Sequence, residues 1–311
     1  MNKPAWVSFW IVAFIWGSSF LLIRVGVGEF SATQVVFFRT SIAAIFLTAT
    51  LYLSGRRLPS HWPTVRALII IGIGNATIPY TFIALGEQTI TSGMAAILQA
   101  TASFFTLIIA HFAFNDERIT RRKVIGLVVG FGGVLVLSSG SLEGTTINRP
   151  ILLGQLAIIA ASAFYATFIV YSRRLIRQDV APLVVSAGTF IPASACAFAF
   201  MLIEPLVGGR AAVPVSAVSS DTLIAVLTLG FFNTFIAYIF FYYIIRELGA
   251  FRASMVTYVV PVVGLALGAM VLNEIVEPYM LVGAAMILSG IGIINLKRMK
   301  WWRRALVTDT A

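Results

Sequence analysis

Charge is what this chain has least of. Only 11% of its 311 residues are Asp, Glu, Lys or Arg, against about 25% in water-soluble domains, and the mean hydropathy is +0.95. That shortfall excludes a soluble globular fold. Cysteine is nearly absent. Cys196 stands alone, so no internal disulfide can form, and its place in an apolar run makes it a packing residue. Histidine is nearly as scarce: His61 lies in a loop and His111 near the end of an apolar block. No His/Cys/carboxylate group has metal-ligand spacing, and no P-loop or other nucleotide motif occurs. An ATP-driven pump and an intramembrane metalloprotease therefore fit poorly, and neither a metal nor a cofactor is expected. Asp and Glu are missing from the middle of every apolar block, where a cation–proton antiporter would carry one. On that ground uniport or exchange is favoured over proton coupling.

What the chain does have is long apolar runs, which make up most of a 59% hydrophobic composition. A membrane-spanning helix needs ~20 such residues, and the runs divide into ten candidates: Trp6–Val25, Thr33–Leu53, Ala67–Leu85, Ser92–Phe114, Val124–Gly140, Ile151–Tyr171, Ala181–Ile203, Thr222–Ile245, Ala253–Leu272 and Tyr279–Leu296. Ten spans leave only short loops and no sizeable extramembrane domain. A β-barrel is unlike this pattern, because its strands alternate in polarity. The first run continues through Arg24 without a small-residue cleavage site, so it reads as a retained span and not as a signal peptide.

The net charge of +10 is a topology signal once its residues are placed. With the N-terminus inside, 18 of the 22 basic residues fall in the inner segments, two (Arg149 and Arg210) in the outer ones, and two (Arg24 and Arg39) within spans. That bias predicts both termini in the cytoplasm of a multi-pass cell (inner) membrane protein. The tail Lys300-Trp301-Trp302-Arg303-Arg304 suits an inner-interface anchor. Partners are the lipid bilayer and a small-molecule substrate, not nucleic acid, and the chain is expected to be a monomer or weak homodimer.

Ten spans split five and five, so the second half enters the membrane in the opposite sense. Residues 1–140 form the first half, and residues 141–311, with the basic tail, the second. An offset of 157 pairs Glu117 with Glu274, Gly126 with Gly283 and Gly133 with Gly290, and an offset of 158 pairs Asn75 with Asn233. Such matches predict two inverted five-helix repeats, a transporter architecture. The expected fold is an all-α integral membrane protein of ten transmembrane helices.

Several motifs carry a family resemblance. Trp16-Gly17-Ser18-Ser19-Phe20 followed by Arg24, Phe38-Arg39, Asn115-Asp116-Glu117-Arg118-Ile119-Thr120, Val260-Pro261-Val262 and Asn273-Glu274 together resemble the EamA-type drug/metabolite transporters. Two positions depart from that pattern: Ser103 stands near a usual proline, and Asp116 replaces a glycine. The resemblance implies ten helices, cytoplasmic termini, a central cavity and, commonly, export of amino acids or other small metabolites.

Arginine inside a span costs about 2.5–3.5 kcal/mol on the mildest scale, so it usually faces a cavity or a partner. Arg24, near the outer end of its span, reads either as a residue snorkelling to headgroups or as a ligand contact. Arg39 lies six residues inside Thr33, ~9 Å deep at 1.5 Å per residue. It reads either as a functional cation or as the structural partner of Glu29 or a helix C-terminus. Mid-span polar residues form stripes: Asn233, Thr234 and Tyr238 on the eighth span, Gln99, Ser103 and Thr106 on the fourth, and Asn75 with Pro79 on the third. Inter-helix hydrogen bonding explains any one of them; several stripes together suggest a lined cavity. The candidate substrate-binding set is Trp16, Ser19, Arg39, Asn75, Tyr80, Gln99, Ser103, Tyr165, Asn233, Tyr238 and Tyr258. Its only formal charge is cationic, which points to a carboxylate-bearing substrate. Gly126/Gly130 and Gly264/Gly268 read as close-packing faces, and Pro79, Pro192 and Pro261 as kinks. Glu117 and Glu274 are expected to fix helix ends at the boundary. The expected function is secondary transport by alternating access. A membrane-embedded enzyme or receptor without large soluble domains is the alternative.

Overall fold

The computed structural model describes residues 3–114, 119–143, 146–176, 180–248 and 255–295. Within them the chain is helical almost throughout. Helices α1 (Lys3–Glu29) and α2 (Ala32–Leu53) are continuous. The third apolar block forms α3 (Trp62–Gly72), a π-turn (Ile73–Thr77) and α4 (Ile78–Gly86). The fourth forms α5 (Ser92–Gln99) and α6 (Ala102–Ala113). Helix α7 (Arg121–Ser138) is followed by the short hairpin of β1 (Leu142–Glu143) and β2 (Thr146–Ile147). The second half comprises α8 (Arg149–Ile176), α9 (Pro182–Ile203), α10 (Ser220–Gly230), a second π-turn (Phe231–Ile236), α11 (Ala237–Leu248), α12 (Val256–Val271) and α13 (Pro278–Asn295). Within the described residues every apolar block expected from the sequence is helical, with described ends shifted by five residues at most; Ala253, Ser254 and Leu296 lie outside the described residues. Among the described residues, seven helical stretches are long and apolar enough to cross a membrane, and α12 and α13 are shorter apolar helices.

Local chemistry sets where these helices start. The hydroxyls of Ser31, Thr91, Thr120 and Ser219 accept from the backbone N–H three residues on, at 3.3–3.4 Å, and so cap α2, α5, α7 and α10. Proline at the first turn of α9 removes a donor that would have no helical partner there. Pro79 acts differently. Its ring cannot continue the i−4 ladder, and just before it the Ile78 N–H reaches back five residues to the Ile73 carbonyl, which is the π register. The second π-turn contains no proline; there the Thr234 hydroxyl donates to the Leu229 carbonyl, also five back, at 2.9 Å. The fourth block breaks without proline as well. Ala100 and Thr101 donate to carbonyls three residues back, and Thr101 Oγ1 donates to the Leu98 carbonyl at 2.7 Å. A tight turn therefore separates α5 from α6 one residue past Gln99.

Glycine lets the helices meet at backbone distance. A Cβ on Gly126 would stand 2.7 Å from the Gly290 carbonyl, and one on Gly133 2.7 Å from that of Gly283. Helices α7 and α13 thus pack along a glycine face, as the Gly126/Gly130 spacing predicts. Gly86 and Gly154 hold α4 against α8 in the same way: a Cβ on either would stand within 3.0 Å of the other's carbonyl. Gly17 lies under Val263 and the Val260 carbonyl, joining α1 to α12.

At one face of the bundle, side chains tie the two halves together. Glu274 accepts from the N–H groups of Ser92 (2.7 Å) and Gly93 (3.0 Å), the start of α5. It fixes a helix end as expected, although the end belongs to the other half. Glu117, its counterpart by offset, lies outside the described residues. Glu204, buried, accepts from the Thr33 N–H at 3.2 Å and from the Thr33 hydroxyl. Gln34 pairs with both backbone groups of Val213. Arg210 donates to the carbonyls of Val27 (2.7 Å) and Glu29 (3.0 Å), the last turn of α1, where a cation is favoured. Glu29 caps α10 through the Ser219 N–H at 2.7 Å. It is therefore not the partner of Arg39.

Candidate functional site

The buried arginine is the starting point for the candidate site. Arg39, on α2, is 7% exposed. Its Nε donates to Thr234 Oγ1 at 3.0 Å, and its guanidinium carbon stands 3.8 Å from the centroid of the Tyr80 ring. The first contact reaches the second π-turn, and the second reaches α4 just past the first. Thr234 can accept because its own proton is committed to the Leu229 carbonyl. Among the described residues no carboxylate pairs with Arg39, and Nε alone of its nitrogens is hydrogen-bonded. Its charge is held by a hydroxyl oxygen and an aromatic face, both neutral. The terminal N–H groups of its fork remain available to a planar anion.

Aromatic side chains continue from this centre in two directions. Tyr80 meets Tyr165 of α8 at 6.1 Å between ring centroids. One turn earlier on α8, Ser162 donates to the Gln99 carbonyl at 3.4 Å, at the break between α5 and α6. On the other side Tyr238, one turn past Thr234, meets Trp16 of α1 at 6.3 Å and Phe190 of α9 at 5.5 Å. Trp16 also lies 4.8 Å from Phe241. Arg39, Tyr80, Tyr165, Tyr238, Trp16 and Gln99 thus form one linked arrangement drawn from both halves.

The remaining candidates separate by what holds them. Asn233 donates its amide to the Ile15 carbonyl, Ser18 Oγ (3.0 Å) and Ser19 Oγ (3.1 Å). Asn233 and Ser19 are occupied in joining α1 to the second π-turn, the inter-helix role that competes with cavity lining. Tyr258 turns its hydroxyl to the Ile291 carbonyl at 3.3 Å, tying α12 to α13. Ser103 sits half-buried in the first turn of α6, just beyond the break. Asn75 and Gln99 each bury a side-chain oxygen with no hydrogen-bond partner among the described residues. Since a buried acceptor without a donor is costly, these two oxygens are acceptors available to a ligand's N–H or O–H.

Two further charged residues meet beside this arrangement. Arg24 does not snorkel; it turns inward and donates to the backbone carbonyl of Glu87. Glu87, between the third and fourth apolar blocks, is 0% exposed, and neither carboxylate oxygen has a hydrogen-bond partner among the described residues. A cavity of ≈ 560 Å³ lined by Arg24, Val27, Gly28, Gln88 and Arg210 opens beside them. It lies at the end of α1 and not at Arg39.

Long apolar helices packed through glycine, with a polar-aromatic centre assembled from both halves, define a multi-pass membrane protein of transporter type. The sequence profile of the EamA-like transporter family matches residues 5–139 and again residues 152–296. The chain belongs to that family. It is 28% identical over 295 residues to an "Uncharacterized transporter" of Archaeoglobus fulgidus, covering 94% of this chain and 99% of the relative. It is 27% identical over 314 residues to the "Probable amino-acid metabolite efflux pump" of Escherichia coli K12, covering 97% of each chain. A solved crystal structure superposes with a TM-score of 0.64 at 19% identity, covering 98% of this chain and 99% of that one, which shows the fold alone.

Proposed function

We propose that this transporter exports small amino-acid-like or other carboxylate-bearing metabolites across the inner membrane by alternating access. The observation that carries the reading is Arg39: buried, without a carboxylate partner among the described residues, and with only Nε hydrogen-bonded. A carboxylate is the ligand that satisfies such a fork bidentately. The ring faces of Tyr80, Tyr165, Tyr238 and Trp16 accommodate an apolar part, and the unpartnered oxygens of Asn75 and Gln99 suit an ammonium or amide of the same molecule. The efflux-pump relative covering nearly the whole chain supports the direction and the substrate class.

The transport cycle we infer uses ten spans in two inverted five-helix repeats, divided near residue 140, with both termini cytoplasmic. Three observations support the repeat. The family profile matches twice in succession. Both π-turns hold the asparagine paired by offset, Asn75 in one and Asn233 in the other. The α7–α13 contact is reciprocal: Gly126 and Gly283 are equivalent by offset, as are Gly133 and Gly290, and each glycine meets the equivalent of the other. Such exchange is the mark of a two-fold axis. Rocking of the halves around Arg39 would then open one face as the other closes.

A flux screen with purified protein in liposomes, using labelled neutral, anionic and cationic metabolites, tests the substrate class. Carboxylate-bearing zwitterions or anions should move, and Arg39→Gln at normal protein level should abolish most of that flux. Normal transport by Arg39→Gln, or a wild-type preference for quaternary amines, overturns the assignment.

A further inference from the structure

Binding of a substrate at Arg39 makes no use of a second buried charged group, the carboxyl of Glu87. Glu87 follows the Trp62–Gly86 span directly and closes α4. It is wholly buried, and neither side-chain oxygen accepts a hydrogen bond among the described residues. The charged groups acting on it come from three elements: Arg24 of α1, Glu274 beyond α12 and Arg39 of α2. Helix α8 brings the Gly154 backbone and Ile158 against the same turn, beside Gly86. Arg24 is the nearest candidate counter-ion, but its described bond is to the backbone carbonyl and not to the carboxylate.

An ionised carboxylate in such a place would lose its hydration and receive no hydrogen bond in return. Burial therefore pushes the Glu87 carboxyl well above the usual range; Arg24 opposes this, Glu274 adds to it, and Arg39 opposes it. The neighbouring cavity supplies a way out for a proton. Arg24 and Gln88, on either side of Glu87, both line it, and Arg210 completes its cationic wall. Opening the contact between Arg24 and the end of α4 would wet the carboxyl and let it ionise beside that guanidinium.

The geometry points to Glu87 as a proton-binding site of the transporter, loaded while this face is closed and emptied into the Arg24–Gln88–Arg210 cavity when the face opens. The step moves one proton from the Glu87 carboxyl to cavity water and leaves a carboxylate facing Arg24. The sign follows from linkage. Between the ordinary carboxyl range and the raised one, the closed form holds a proton that the open form has lost, so raising the pH favours opening and lowering it favours closure. Transport then responds to pH through a residue outside the substrate site. This rests on the transport reading above and not on the choice of substrate.

Two measurements test it. Infrared spectra of the purified, detergent-solubilised protein should contain the C=O stretch of an un-ionised carboxyl at neutral pH, and Glu87→Gln should remove it. In liposomes, flux of a labelled mixture of neutral amino acids should change with the pH on the cavity side for wild type, and should lose that dependence in Glu87→Gln. Glu87→Asp, which keeps a titratable group, should restore a pH response. Persistence of the carboxyl band or of the pH response in Glu87→Gln overturns the proposal. Absence of amino-acid flux in wild type overturns the substrate reading instead, and the infrared band still decides the proton site.

Discussion

At the scale of single residues, Arg39 is defined by what it lacks. The Thr234 hydroxyl and the Tyr80 ring hold its position without cancelling its charge. Replacing it should therefore cost more in transport than in folding. A hydrogen bond to a charged group is worth ~1.5–3 kcal/mol, and each 1.4 kcal/mol is about tenfold in affinity. Arg39→Gln should thus weaken carboxylate binding by about 10- to 100-fold, read from substrate-dependent thermal stabilisation of the purified protein. Arg39→Lys should recover only part of the loss, because a point ammonium cannot offer two parallel donors. Tyr80→Leu removes a contact worth ~0.5–2 kcal/mol. Its expected effect is a few-fold loss of affinity with the charge preference unchanged.

At the scale of helices, the α7–α13 seam is the sharpest target. A Cβ on Gly290 would come within 2.5 Å of the Gly126 carbonyl, and one on Gly133 within 2.9 Å of Met286 Cβ. Backbone that close cannot yield without moving the helices apart. Gly290→Ala and Gly133→Val should each lower thermal stability in detergent by the ~1–3 kcal/mol typical of overpacking. Gly292, on the same helix, faces open space: a Cβ there would meet nothing within 4 Å. Gly292→Ala should be neutral or slightly stabilising, since alanine is preferred in helices by up to ~1 kcal/mol. At the start of α5, Glu274→Ala would leave the Ser92 and Gly93 N–H groups without their acceptor. A lost cap costs about 0.5–2 kcal/mol, and faster hydrogen exchange at residues 92–95 should accompany it.

At the scale of the whole molecule, the ties at one face span sequence separations of more than 170 residues: Thr33 with Glu204, Gln34 with Val213, Arg210 with the end of α1. That face should be the outer one. Single cysteines at Glu143 and Arg177, in a Cys196→Ala background, should react with an impermeant thiol reagent from opposite sides of the membrane. Labelling from one common side would refute the orientation. The helices themselves are legible in the sequence, because hydropathy reports on the bilayer directly. All ten apolar blocks are helical, and the cation singled out, Arg39, stands at the centre of the linked aromatic arrangement. What is not legible follows from hydrogen-bond register and from neighbours far along the chain. The π-turns at Asn75 and Asn233 and the break after Gln99 leave the hydropathy profile unchanged. Glu87-Gln88-Thr89 looks like any polar boundary turn, and only the packing of α1 and α8 over it buries the carboxyl. The inter-helix hydrogen bonds of Tyr258 and Asn233 are hidden as well, because periodicity marks the face a side chain occupies, not the helix it meets.

The turn between α5 and α6 has a consequence for how the protein is made. Its Gln99 carbonyl, no longer used by a continuous helix, accepts from Ser162 on α8. A ribosome completes the fourth block well before Ser162 exists, so that segment enters the bilayer with a polar backbone group awaiting its donor. Biogenesis should therefore hold the first half in a provisional state, shielded by the insertion machinery or by a straighter helix, until the sixth block arrives. Synthesised alone, residues 1–148 should be cleared quickly by membrane proteases, and co-expression of residues 149–311 should rescue them. Survival of the lone first half at the level of the rescued one would show that the broken helix is satisfied from within.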